Sequence, residues 1–239
     1  MIRNKSIVVS AVGNWGALFA TIIVSLFLTP FLVHGLGSEH FGVWTLLASV
    51  MGVFGLLELG VTSAISRYVA YYIGKNDEES LGSVFSTSLV FFIFVGALCV
   101  LGALLASRPL CAFFRVPERL EADFLVAIAV LACSMAISFV SNVFLATLTS
   151  HEFFLPGNIV KFASEILRGL LSVAVVRAGA GIRGLALVSL SVSAMAALSH
   201  LAFMRSLMPA VGFRLSAARP RMLARLIAYG IPAAVTVIA

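Results

Sequence analysis

The chain has 239 residues, of which 61% are hydrophobic and only 11% charged, with a formal net charge of +6. Soluble domains carry about 25% charged residues, so a water-soluble fold of this length has too little interior to hide so much apolar surface. Uncharged runs over residues 6–33, 81–107 and 124–150 each exceed the roughly 20 residues that cross a bilayer as a helix. They do not alternate as barrel strands would, which leaves an all-α, polytopic helical membrane protein.

The first helix is expected over about 7–33, with Pro30 near its far end. It follows Arg3 and Lys5, as a signal peptide would, but it is far longer than a signal core and lacks a small-x-small exit before His34. It is read as a retained span. A Gly-rich turn over 34–40 leads to a second helix at about 41–73, which carries Glu58 and Arg67. Residues 74–79 form a polar loop, and the third helix covers about 81–107. In the connection over 108–123, Pro117 followed by Glu118, Glu121 and Asp123 reads as a helix start, with acids at the positive dipole end. The fourth helix is expected at about 119–149, the fifth at 156–177 and the sixth at 183–207. The domain reading is a six-helix lobe over 1–207, a basic linker over 208–225 and the start of a seventh span over 226–239.

Connections alternate between two faces. One collects Arg3, Lys5, Arg67, Lys75, Lys161, Arg205, Arg214, Arg219, Arg221 and Arg225; the other collects Arg108, Arg115, Arg119, Arg177 and Arg183. Ten against five, with Arg168 left in mid-helix, places the N-terminus in the cytoplasm by the positive-inside rule. The basic excess therefore reads as topology and contact with anionic membrane lipids, not nucleic-acid binding. The segment 205–225 holds no acid; it sets orientation, and a lipid headgroup docking there is the sharper alternative.

The spacing Gly179-x-Gly181-x-x-Gly184 matches a dinucleotide-binding turn, and the apolar run 170–176 before it could pass for a strand. The ribose-binding acid about 20 residues on is missing, since no Asp or Glu follows Glu165. These glycines are read as a tight turn and a close helix approach between the fifth and sixth helices. Cys99, Cys111 and Cys133 have no metal or redox spacing. His151-Glu152 lacks the second histidine of a zinc motif, and no Gly-x-Ser-x-Gly elbow occurs. No catalytic constellation, cofactor motif or metal site is expected.

Charges inside spanning segments cost several kcal/mol by insertion scales and mark interiors or cavities. Glu58 lies mid-helix among Gly52, Gly55 and Gly60. It either binds a proton or Na⁺ or makes a structural hydrogen bond to a neighbouring helix. Arg67, nine residues later, points to the opposite side and lies near the cytoplasmic end, where snorkelling is the plainer role. Lys161, Glu165 and Arg168 share one face of the fifth helix through spacings of four and three. They read as the net-positive wall of a polar cavity that attracts an anionic substrate, against the plainer alternative of an internal salt-bridge ladder. Asn14, Asn142, Asn158 and His200 are weaker candidates to line a cavity. Ser189, Ser193 and Ala197 form a small-residue packing row.

Phe31-Leu-Val-His-Gly-Leu-Gly-Ser-Glu39-His-Phe-Gly42-Val-Trp-Thr-Leu resembles the start of bacterial polysaccharide and O-antigen flippases. So does Leu57-Glu58-Leu-Gly60-Val-Thr-Ser-Ala-Ile-Ser-Arg67-Tyr-Val-Ala70, and Gly181-x-x-Gly184-Leu-Ala also fits. These flippases form the oligosaccharide group of the multidrug/oligosaccharidyl-lipid/polysaccharide exporter superfamily. The resemblance implies two six-helix lobes around a cavity in a bacterial inner membrane. It implies flipping of undecaprenyl-diphosphate-linked oligosaccharide by alternating access, often driven by an H⁺ or Na⁺ gradient. Carried over, Arg67, Lys161 and Arg168 become diphosphate or sugar-acid contacts, Glu58 an ion-coupling site and Glu165 a partner of the cavity bases. Such proteins have about twice as many helices, so this chain is expected to be one lobe that needs a C-terminal lobe or a second half. Multidrug extrusion on the same fold and a non-transporting half-length subunit are the alternatives.

Overall fold

Seven α-helices, α1 (Ile2–Leu36), α2 (Ser38–Gly74), α3 (Glu78–Phe113), α4 (Glu118–Ser150), α5 (Phe154–Arg177), α6 (Gly181–Leu207) and α7 (Pro220–Ile238), follow one another in a computed structural model. It describes the backbone of residues 2–209, 211–214 and 217–238. Side chains are described for residues 15–16, 18–19, 21–55, 62–209, 211–214 and 217–230. No strand occurs among the described residues.

The helices outrun the apolar segments that predict them. The third continues through Pro109 to Phe113, where the sequence suggests a connection, because Cys111 is buried against Leu120 and Phe124 of α4. That packing holds the extra turn, and the Phe114 and Val116 N–H groups close it on the Leu110 and Cys111 carbonyls. Similarly, α7 begins at Pro220 rather than 226, since Met222 and Leu226 are both buried in the core; the expected linker is shorter by that turn. Proline suits a first turn because its missing N–H has no intrahelical partner there.

Local chemistry sets the other ends. Asp77 caps α3, its carboxylate accepting from the Ser80 N–H at 3.0 Å, and hydrogen bonds from Ser80 hold its carboxyl below the usual carboxylate range. Glu118 and Glu121 sit in the first turn of α4, directly after Pro117, where acids complement the helix dipole. Between α5 and α6, Gly179 and Gly181 adopt φ of 73° and 58°, which glycine reaches without a Cβ penalty. A Cβ on Gly184 would strike Val175 Cγ1 and lie 2.8 Å from the Ala180 Cβ. The three glycines therefore serve the turn and the close approach of the two helices.

Helix α4 is central, packed against α6, α3 and α2; α1 lies along α5, α5 along α6, and α7 folds back on α2 and α3. One core cluster joins α2, α3, α4 and α7 around Ile65, Phe85, Phe92, Phe139, Leu148 and Leu226. A second, around Leu47, Phe124, Ile128 and Ile182, fills the opposite end. Among the described residues α3, α4 and α6 are long and apolar enough to cross a bilayer. Many large apolar side chains point outward, among them Phe94, Leu105, Phe113 and Leu198, as an acyl-chain environment requires.

Candidate functional site

The 24 residues of α5 reach about 36 Å, enough to cross the ~30 Å hydrocarbon core, yet three charges sit on its face. That face closes a cavity of about 360 Å³ against α4 and α6. Lys161, Glu165 and Arg168 all line it, so the structure brings the fifth-helix stripe together as one wall. Lys161 is exposed, whereas Glu165 and Arg168 are half-buried. Among the described residues no ion pair joins these three. A helix-internal salt-bridge ladder is therefore not their arrangement, and two cations face the cavity against one carboxylate.

On the opposite wall Ser138, Ser141 and Ser193 bring hydroxyls to the cavity beside Asn142, His200 and the apolar Leu145, Val192 and Ala196. Ser134, Ser138 and Ser141 recur at i, i+4 and i+7 along α4, which puts them on one side of the helix. Ser193 and His200 stand seven apart on α6. Across the contact the Ser134 and Ser193 hydroxyls meet at 2.9 Å, the Ser138 hydroxyl donates to Ser193 at 3.2 Å, and the Ser141 hydroxyl meets His200 Nδ1 at 2.8 Å. Each side chain satisfies the other where water is scarce, the condition for burying polar groups at low cost. Ser193, expected as a simple packing residue, is thus both a contact and a cavity wall. Asn142 and His200 also line the cavity; Asn158 does not line it. The signal for the α4 serines was present in the sequence as their regular spacing in an apolar helix.

Arg67 lies elsewhere. It is exposed near the end of α2, and its guanidinium stacks 4.3 Å over the Tyr229 ring of α7, with Tyr68 packed edge-on to the same ring at 6.4 Å. Glu58 and Asn14 lie outside the described side chains. Around Gly52 and Gly55 no neighbouring atom among the described residues falls within 4 Å of a notional Cβ. Cys99 and Cys111 are buried thiols and Cys133 is exposed. No cluster of potential metal ligands occurs among the described residues.

The MatE family profile matches residues 17–174. A Shigella flexneri protein named for O-antigen transport is 28% identical over 163 residues, 67% of this chain and 38% of that one. A Yersinia pseudotuberculosis protein named for O-antigen export is 23% identical over 97 residues, 39% of this chain and 22% of that one. The crystal structure of a MATE point mutant superposes with a TM-score of 0.85 at 19% identity, over 98% of this chain and 53% of that one. The chain spans well under half the length of these curated relatives and about half the length of the solved transporter. With its seven helices, its outward apolar surface and this profile match, the chain belongs to the MatE family of the MOP superfamily, whose members are membrane transporters and not enzymes.

Proposed function

We propose that this chain is the N-terminal lobe of a bacterial inner-membrane flippase. In this reading it moves undecaprenyl-diphosphate-linked oligosaccharide by alternating access, for surface polysaccharide synthesis. The observation that carries it is the α5 wall, two cations against one carboxylate in a partly desolvated cavity. Such a wall attracts phosphate or sugar-acid groups, because field lines focus in low-dielectric clefts. The relatives named for O-antigen transport and export support the same substrate class. Lys161 and Arg168 contact the anion, and Glu165 balances them. Glu58 and Glu165 are the carboxylates available to couple transport to H⁺ or Na⁺. Arg67, engaged with Tyr229, acts at the α2–α7 contact. The N-terminus faces the cytoplasm, the basic segment 205–225 rests on anionic lipid headgroups, and a C-terminal lobe completes the pathway.

The fold is shared with a multidrug resistance transporter, which makes drug extrusion the competing reading; a cationic drug would be repelled by this wall. Complementation separates the two. A strain lacking its O-antigen flippase receives the chain alone or joined to a relative's C-terminal lobe, each with and without Lys161→Ala, Glu165→Ala and Arg168→Ala. The complete protein restores surface polysaccharide, and loss of either cation lowers it at least about tenfold at unchanged protein level. Silent charge substitutions would make the stripe structural, and drug resistance without polysaccharide would favour extrusion.

A further inference from the structure

We infer that His200, held by Ser141, reads a hydroxyl group on the ligand beside its anionic group, so that the cavity selects an acidic or phosphorylated sugar over a bare anion. This rests on the anionic-ligand reading of the α5 wall and adds a second, neutral recognition element to it. His200 is 5% exposed and lines the cavity together with Lys161, Glu165 and Arg168. Its two ring nitrogens are in different situations. Nδ1 is engaged by the Ser141 hydroxyl at 2.8 Å, while Nε2 is buried with no hydrogen-bond partner among the described residues. A buried polar atom is costly to leave unpaired, so this nitrogen is suited to a group that enters the cavity.

The lining decides what kind of group that is. Charge is already supplied by α5, with Glu165 the single carboxylate against Lys161 and Arg168. The α4 and α6 walls are hydroxyl-bearing, and Ser134, Ser138 and Ser193 satisfy one another. Among the described residues that line this side, the imidazole Nε2 is the buried polar atom without a partner. In either tautomer an imidazole with one engaged nitrogen offers the other as one donor or one acceptor, and a sugar hydroxyl complements both. Ser141 supplies the positioning by fixing the ring rotation, as second-layer partners do for binding histidines. A site built to hydrogen-bond a hydroxyl discriminates against ligands that lack one, because its own buried group is then left unpaired.

The test is calorimetric binding of two probes, glucose 1-phosphate and inorganic phosphate, to the full chain in lipid nanodiscs. The wild type binds glucose 1-phosphate about tenfold more tightly than phosphate. His200→Leu removes that preference and leaves phosphate affinity unchanged, whereas Arg168→Ala weakens both probes together. His200→Gln, which keeps an amide donor and acceptor near the same place, retains part of the preference. Ser141→Ala, which leaves the imidazole in place but unfixed, reduces it and serves where His200→Leu folds poorly. Equal binding of the two probes by the wild type, or a full preference surviving in both His200→Leu and Ser141→Ala, overturns the hydroxyl assignment while leaving the anionic wall intact. Binding of neither probe overturns the anionic reading and this inference with it.

Discussion

At Gly184 α6 runs tight against α5: a Cβ there would meet the Val175 side chain and the Ala180 Cβ. Gly179, by contrast, has open space around it and is needed only for its positive φ. The two kinds of glycine fail differently. Gly184→Val forces the helices apart and is expected to cost about 1–3 kcal/mol, whereas Gly179→Ala carries only a backbone penalty of about 1 kcal/mol. Thermal unfolding in detergent should show the larger drop for Gly184→Val; equal drops would mean that the α5–α6 gap relaxes around the new side chain. The sequence already separated this turn from a nucleotide-binding loop through the missing acid. It could not rank the glycines, because which one touches a neighbour depends on helix packing. For the same reason the spacing of Arg67 placed it near a helix end but said nothing of Tyr229, 162 residues away.

Among the elements, α5 and α7 behave in opposite ways. The charged face of α5 was legible, since a period of 3.6 residues puts positions 161, 165 and 168 on one side whatever surrounds them. What it faces was not: the spacing of the α4 serines does not single them out, because hydroxyls in apolar helices commonly bond their own backbone, as Ser88 does to the Val84 carbonyl at 2.7 Å. In α7 the sequence placed the helix start too late. Arg221 and Arg225 read as linker, yet they lie on the outer side of a turn whose Met222 and Leu226 enter the core beside α2. Leu226 is fully buried, so Leu226→Ala is expected to cost about 2–5 kcal/mol and to loosen α7 from α2. Disulfide trapping between cysteines placed at Tyr68 and Tyr229, whose rings touch, should become less efficient in that variant. Unchanged trapping would mean that α7 is held by its other contacts.

At the scale of the whole molecule, the ion pairs among the described residues sit at the helix ends. Arg119 pairs with Glu39, and Arg183 with Asp123 at 2.6 Å, at the end that carries the α1–α2, α3–α4 and α5–α6 turns. Arg219 pairs with Glu79 at 2.6 Å at the other end. All are partly or largely exposed and contribute little to stability individually, but they mark the two polar ends of the bundle. The unequal share of basic residues predicts that the α2–α3 face is cytoplasmic. In a Cys133→Ser background, Lys75→Cys should react with a membrane-impermeant maleimide only after the cytoplasmic face is opened. Glu118→Cys should react in intact spheroplasts. The reverse pattern would invert the proposed orientation.

Composition and period determined the membrane class, the number and order of helices, the turn built on Gly179 and Gly181, and the shared face of Lys161, Glu165 and Arg168. All of these are properties of residues close together in the chain, imposed by bilayer thickness, backbone hydrogen bonding and helix geometry. Tertiary structure alone decided that α4 is central, that the α5 charges face serines and His200 of α4 and α6 across a cavity, and that Arg67 of α2 stacks on Tyr229 of α7. The reason is physical: in lipid every helix is apolar on most sides, so the hydrophobic pattern that would reveal facing surfaces in water is lost. Partners are chosen instead by small-residue fit and by a few hydrogen bonds between residues far apart in sequence, as between Ser141 and His200.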